Sequence, residues 1–149
     1  YHIKPNFKSG KGLDPWTGNT FDLIIDDISA VSDQVAGLSD WFDFAPCEAG
    51  IDGIKNTLEI IDSGKNFLKT GGTLVFPVLS LSNVKRLDEC LSMAGYKITK
   101  LQKQKWPLPF SMVEKHKSRL LEMRKDGYIN FDEKFGQFIA ETRCYALNL

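Results

Sequence analysis

No stretch of about twenty consecutive apolar residues occurs in this 149-residue chain, so neither a membrane-spanning helix nor a membrane partner is expected. Phosphate-binding signatures are missing as well. Gly10-Lys11-Gly12 has no preceding strand and lacks the spacing of GxxxxGK followed by Ser or Thr, and neither a GxGxxG turn nor a GxSxG elbow is present. Hydrolase and dehydrogenase readings are weak on that ground. Histidine is limited to His2 and His116, which gives a histidine-rich metal site no support. Cys47, Cys90 and Cys144 form no CxxC pair, so reduced thiols in a cytoplasmic protein are expected rather than a zinc site or a disulfide framework. The chain opens Tyr1-His-Ile-Lys-Pro5, without an initiator Met or the apolar centre of a signal peptide, as expected of a processed chain or a piece of a longer one.

What is present suffices for a single domain with a real core, since 42% of residues are apolar and 26% charged. Net charge is zero, but the two signs are separated along the chain. Residues 14–62 hold eleven Asp/Glu against one Lys/Arg, whereas residues 97–125 hold nine Lys/Arg against two Glu. A basic face is expected in the later segment, either as solvated surface or as contact with an anionic small molecule or nucleic acid.

Residues 1–20, punctuated by Pro5, Gly10, Gly12, Pro15 and Gly18, read as mostly loop. Phe21-Asp-Leu-Ile-Ile-Asp-Asp-Ile28 then reads as a buried parallel strand that ends in carboxylates. The long irregular stretch that follows, 29–51, has room for a short helix at 32–38, and its length after an acidic strand end suggests function. Asp52 is placed to cap a helix carrying Ile54, Leu58, Ile61 and Leu68 on one stripe and stopping at Gly71-Gly72. A second buried strand is expected at 73–78, and a helix capped by Ser82 with Val84, Leu87, Leu91 and Ala94 on one face; Cys90 belongs to that apolar face. A partly exposed strand at 96–106 follows. Ser111 and Glu114 have capping-box spacing ahead of a basic helix with Val113, His116, Leu120 and Met123 on one face, and residues 137–149 read as a terminal strand.

Four segments together resemble the C-terminal half of class I S-adenosylmethionine-dependent methyltransferases, nearest in flavour to those that methylate glutamine amides or base amino groups. They are Phe21-Asp-Leu-Ile-Ile25, Gly50-Ile-Asp-Gly53, Asn66-Phe-Leu-Lys-Thr-Gly-Gly-Thr-Leu-Val75 and Leu91-Ser-Met-Ala-Gly-Tyr96. The resemblance covers roughly residues 14–106, with a last strand near 137–147. It implies an α/β fold holding part of a Rossmann-like methyltransferase sheet: a βαβαβ unit over 21–106, a basic helical insertion over 107–136 and an antiparallel terminal strand. The first two strands would be the fourth and fifth of seven, and the last two an antiparallel pair. S-adenosylmethionine is the implied cofactor. The family's glycine-rich cofactor turn belongs upstream of residue 14, so the chain reads as half of such an enzyme, partnered by a missing N-terminal half or by a second copy. Amino-methylating members carry Asn, Asp or Ser, then Pro-Pro and an aromatic, where this chain has Asp27-Ile28-Ser29-Ala30. That departure points to a different acceptor, or to a binding or assembly module without catalysis.

Candidate site residues follow from the strand end and from the resemblance. Asp26, Asp27 and Ser29 lie where ligands of open α/β sheets bind. Asp27 and Ser29 are the catalytic candidates, Asp27 as either a substrate contact or a loop-fixing carboxylate and Ser29 as either a donor or a turn cap. Strand alternation sends Asp26 to the opposite face from Asp27, so the two make a poor acid–base pair. Asp26 is a candidate for cofactor contact, and the resemblance adds Asp14 as an acid near the adenine amino group. Trp41 is either a core anchor or a stacking surface, and Trp106-Pro107 either a rigid turn or the wall of a substrate slot. Cys47, in the loop Ala-Pro-Cys-Glu-Ala-Gly, is expected as an ordinary reduced thiol and is the one of the three with a reactive role as its alternative, and His116 is expected as a buried, hydrogen-bonded residue rather than a base.

Overall fold

A computed structural model describes residues 4–28, 31–43 and 46–148. Over these residues the chain is α/β, with four α-helices and one mixed five-stranded sheet. Strand β1 (Phe21–Ile25) leads through the short helix α1 (Asp33–Ala36) and α2 (Lys55–Gly64) to β2 (Leu68–Leu79), which lies parallel to it. Helix α3 (Val84–Met93) then connects to β3 (Lys97–Pro107), and α4 (Phe110–Lys125) to a hairpin of β4 (Asp132–Lys134) and β5 (Gln137–Asn148). Strand order is β1-β2-β5-β3, with β5 antiparallel to both of its long neighbours.

Alternation along the strands divides the core between the two faces. Ile24, Leu74, Phe76, Val78, Tyr145 and Leu147 point to the face covered by α2 and α3, where they meet Ile60, Ile61, Leu87 and Leu91. Phe138 and Ala140 point to the other face and pack with Val35 of α1, Leu108, and Met112, Leu120 and Met123 of α4. That second cluster covers only the end of the sheet near the start of β5. Over β1, β2 before Leu79 and the rest of β5, no helix among the described residues covers this face.

Several boundaries differ from the sequence reading. Residues 21–25 form an edge strand rather than a buried one, because β2 pairs with one side only; Leu23 is 52% and Ile25 68% exposed. Helix α2 stops at Gly64, not at Gly71-Gly72. The amides of Asn66 and Phe67 turn back onto the Ser63 and Gly64 carbonyls, and a Cβ on Gly64 would lie 3.4 Å from the Tyr96 hydroxyl. Leu68, expected on the helix, instead pairs with Phe21, and the bulge at Gly71-Gly72 sets five residues of β2 against two of β1. The caps also move. Ile54, not Asp52, is the N-cap of α2; Asn83, not Ser82, caps α3 by accepting from the Arg86 amide at 3.0 Å; and α4 begins at Phe110 after Pro109, which leaves Ser111 inside the helix. Cys90 and His116 are only partly buried, and His116 sits at a kink with φ −126° and ψ 17°. The 107–136 insertion is not wholly helical, since β4 belongs to the sheet.

Candidate functional site

Three connections meet beyond the carboxyl ends of β1 and β2: residues 31–33, the loop 46–54 and residues 80–83. They are tied mainly through backbone. The Ser32 amide donates to the Leu81 carbonyl at 2.9 Å, the Asp33 amide to Gly50 at 3.0 Å and the Asn83 amide to Asp52 at 2.8 Å. Ser32 Oγ donates to the Ile51 carbonyl at 2.6 Å and accepts from the Gln34 amide as the cap of α1. Gly53, at φ +71°, fits between Val31, Ser32 and Ser82 with no room for a side chain. Asp52 holds the first turn of α3 by pairing with Arg86. Cys47 is turned inward, its thiol donating to the Val31 carbonyl at 3.4 Å.

Asp26 is nearly enclosed at this end, 8% exposed, with its amide on the Val75 carbonyl at 2.8 Å and Oδ1 accepting from the Ile28 amide at 3.2 Å. Burial raises its carboxyl above the ordinary range; the Ile28 hydrogen bond opposes that rise and the charge of Asp27 adds to it. Asp27, beyond the last residue of β1, is exposed. Ser29 lies outside the described residues. Asp14 opens a short 3-10 turn, Asp14–Trp16, and lines a cleft of about 400 Å³ with Ile28, Asn56 and Glu59. A second cleft of about 350 Å³ shares Ile28, Asn56, Lys11 and Glu59 and reaches Cys47. Between them Lys11 and Glu59 pair at 3.0 Å, which lowers the Glu59 carboxyl and raises the Lys11 ammonium.

Trp41 and Trp106 come together elsewhere, with ring centroids 6.2 Å apart at 58°. Trp106 is anchored by its indole N–H, which donates to Thr142 Oγ1 at 2.9 Å, and Pro107 ends β3 opposite Ile139. Register measures the separation from the acids. Ile25 is level with Val75, Ala146 and Lys100, so Trp106 lies three strands across from Asp27 and four residues further along, roughly 20 Å away. One small acceptor cannot bridge that gap.

No family model matches the chain, and no curated protein matches it. Among the described residues no group of three or more His, Cys, Asp or Glu side chains is placed to hold a metal ion, and no helix is long and apolar enough to cross a membrane. Sequence reasoning had not singled out Ser32, Gly53 or the Asp52–Arg86 pair. Gly50-Ile-Asp-Gly53 was the available signal, because two glycines so close together mark positive-φ positions, and both adopt them here.

Proposed function

We propose that this chain is the acceptor-side half of a class I S-adenosylmethionine-dependent methyltransferase. The observation that carries the reading is the sheet: β1 and β2 are parallel neighbours joined through α2, and β3 and β5 form an antiparallel pair beside them. A chain whose first strand ran antiparallel to β2 would have no claim to the resemblance. The free edge of β1 is where a cofactor-binding half would extend the sheet. Asp26 and Asp27 at the strand end, with Asp14 on the cleft that reaches Ile28, suit a cationic sulfonium ligand that also carries amino groups. Bound there, the cofactor would supply the methyl group. Asp27 would orient the acceptor by taking a hydrogen bond from it, and the enclosed Asp26 would fix the strand end, so that positioning supplies much of the rate.

The exposed Leu23 and Ile25 favour a second reading, an assembly module that keeps the architecture without catalysis. Calorimetric titration of S-adenosylmethionine into the protein as its gene encodes it, beside the 149-residue chain, separates the two. Saturable heat, with Asp27→Ala abolishing methyl transfer while leaving the heat in place, is expected. An absence of heat in both proteins sinks the enzyme reading and leaves the module.

A further inference from the structure

β3 differs from every other strand of the sheet. Each residue from Lys97 to Lys105 is exposed, and the strand contains no Asp or Glu. Its register with β5 sorts the side chains by face. Lys97 is opposite Asn148, and past the bulge at Thr99 the residues Lys100, Gln102, Gln104 and Trp106 are opposite Ala146, Cys144, Thr142 and Ala140. All five therefore lie on the face that α2 and α3 leave uncovered, whereas Leu101, Lys103 and Lys105 lie on the other.

Ion pairing follows the same division. Lys105 meets Asp132 at 2.6 Å and Lys103 approaches Glu141 at 3.9 Å, whereas Lys97 and Lys100 form no ion pair among the described residues. The row ends at the indole of Trp106, held in place by Thr142 and packed against Trp41, which is 44% exposed. One face of a single strand thus presents two unneutralised ammonium groups, two amides and one indole, most of them about 6.7 Å apart along the strand, with Trp41 from residues 40–42 packed against the last.

We propose that this face of β3 binds a single-stranded polynucleotide, its phosphates against Lys97 and Lys100 and a base stacked on the Trp41–Trp106 pair. Blunting an edge strand against aggregation accounts for lysines, but not for two amides in the same row and an anchored, half-buried indole at its end with the exposed Trp41 ring against it. Phosphates satisfy the free ammonium groups, Gln102 and Gln104 both donate and accept toward base edges, and an open sheet face with aromatic side chains is a known platform for unpaired bases. A duplex offers no free base to Trp41. The surface lies across the sheet from Asp26 and Asp27, so it stands whether or not the chain takes part in methyl transfer.

The test is fluorescence anisotropy of labelled single-stranded oligonucleotides of about 15 nucleotides, with a duplex of the same length for comparison. The single strand is expected to bind more tightly, with log K falling against log salt at a slope of about −1.4 for two phosphates. Lys97→Glu with Lys100→Glu should weaken binding at least ~10-fold and flatten that slope. Trp41→Ala should weaken it about 10-fold with the slope unchanged, while Trp41→Phe retains most of the affinity and controls for folding. Lys103→Gln, on the opposite face, should change nothing. Three outcomes overturn the proposal: no binding at low salt, equal binding of duplex and single strand with Trp41→Ala silent, or binding to phosphatidylserine vesicles but not to the oligonucleotide.

Discussion

Asp26 is a nearly enclosed carboxyl at the end of β1, 8% exposed. It binds its proton more tightly in the folded chain than in the unfolded one, because enclosure penalises the charged form. Between the ordinary carboxylate pKa and the raised folded value, the native state holds more protons. Stability from this group therefore falls as pH rises through that window, and the ionised side chain burdens the fold at neutral pH. Asp26→Asn removes the charge yet keeps an oxygen that accepts from the Ile28 amide. The variant is expected to melt above the wild type at neutral pH, and the gap should close as pH drops below the ordinary carboxylate range. Asp22, Glu59 and Asp132, whose carboxyls are lowered by Lys69, Lys11 and Lys105, slope the opposite way but do so in both proteins, so the difference between melting curves isolates Asp26. A variant no more stable than the wild type at neutral pH would mean that enclosure does not disfavour this carboxylate.

At the scale of elements, the strand-end connections and the seam between α3 and β5 make separable predictions. Gly53→Ala would place a methyl 2.5 Å from the Val31 carbonyl carbon and 2.8 Å from Ser82 Oγ, at a φ of +71° that L residues avoid. A loss of about 2–4 kcal/mol in urea unfolding is expected from overpacking and backbone strain together; a loss below ~1 kcal/mol would mean that the loop moves aside. Across the seam, Tyr145 donates to Asp88 at 2.7 Å and Arg143 donates to Asp88 and Glu141 at 3.0 and 2.6 Å. Asp88→Ala strands the buried Tyr145 hydroxyl and should lower stability by about 1–3 kcal/mol in the same assay. Asp88→Asn, which restores an acceptor, should recover part of it. The strands were legible because β-branched and aromatic runs such as Phe21-Asp-Leu-Ile-Ile25 and Thr73-Leu-Val-Phe76 have few other uses. Their ends were not, because Leu68 is chosen by Phe21 across the sheet and Asp52 by Arg86 from α3, partners distant in sequence. Asp132-Glu-Lys134 gave no strand signal at all, since only pairing with Gln137, Phe138 and Ile139 makes it one.

For the whole molecule, the uncovered face is divided between two kinds of surface. Leu23, Ile25, Val75 and Pro77 make its β1–β2 half apolar, while Lys100, Gln102 and Gln104 make its β3 half polar. The apolar half adjoins the edge of β1 that no strand among the described residues pairs, and such an edge can template another strand. Both features act at the same place, so the 149-residue chain is expected to self-associate with rising concentration, through β1 rather than through the lysine-lined β3. Ile25→Lys tests this directly. Ile25 is already 68% exposed, so the change should leave stability within about 0.5 kcal/mol. It also puts a charge on the surface that must be dehydrated when two copies meet. Sedimentation across a concentration series should therefore show association in the wild type and a monomer in the variant. A wild type that stays monomeric would mean that the edge is protected without a partner. An Ile25→Lys chain that still associates would mean that the contact does not run through the exposed apolar face of β1.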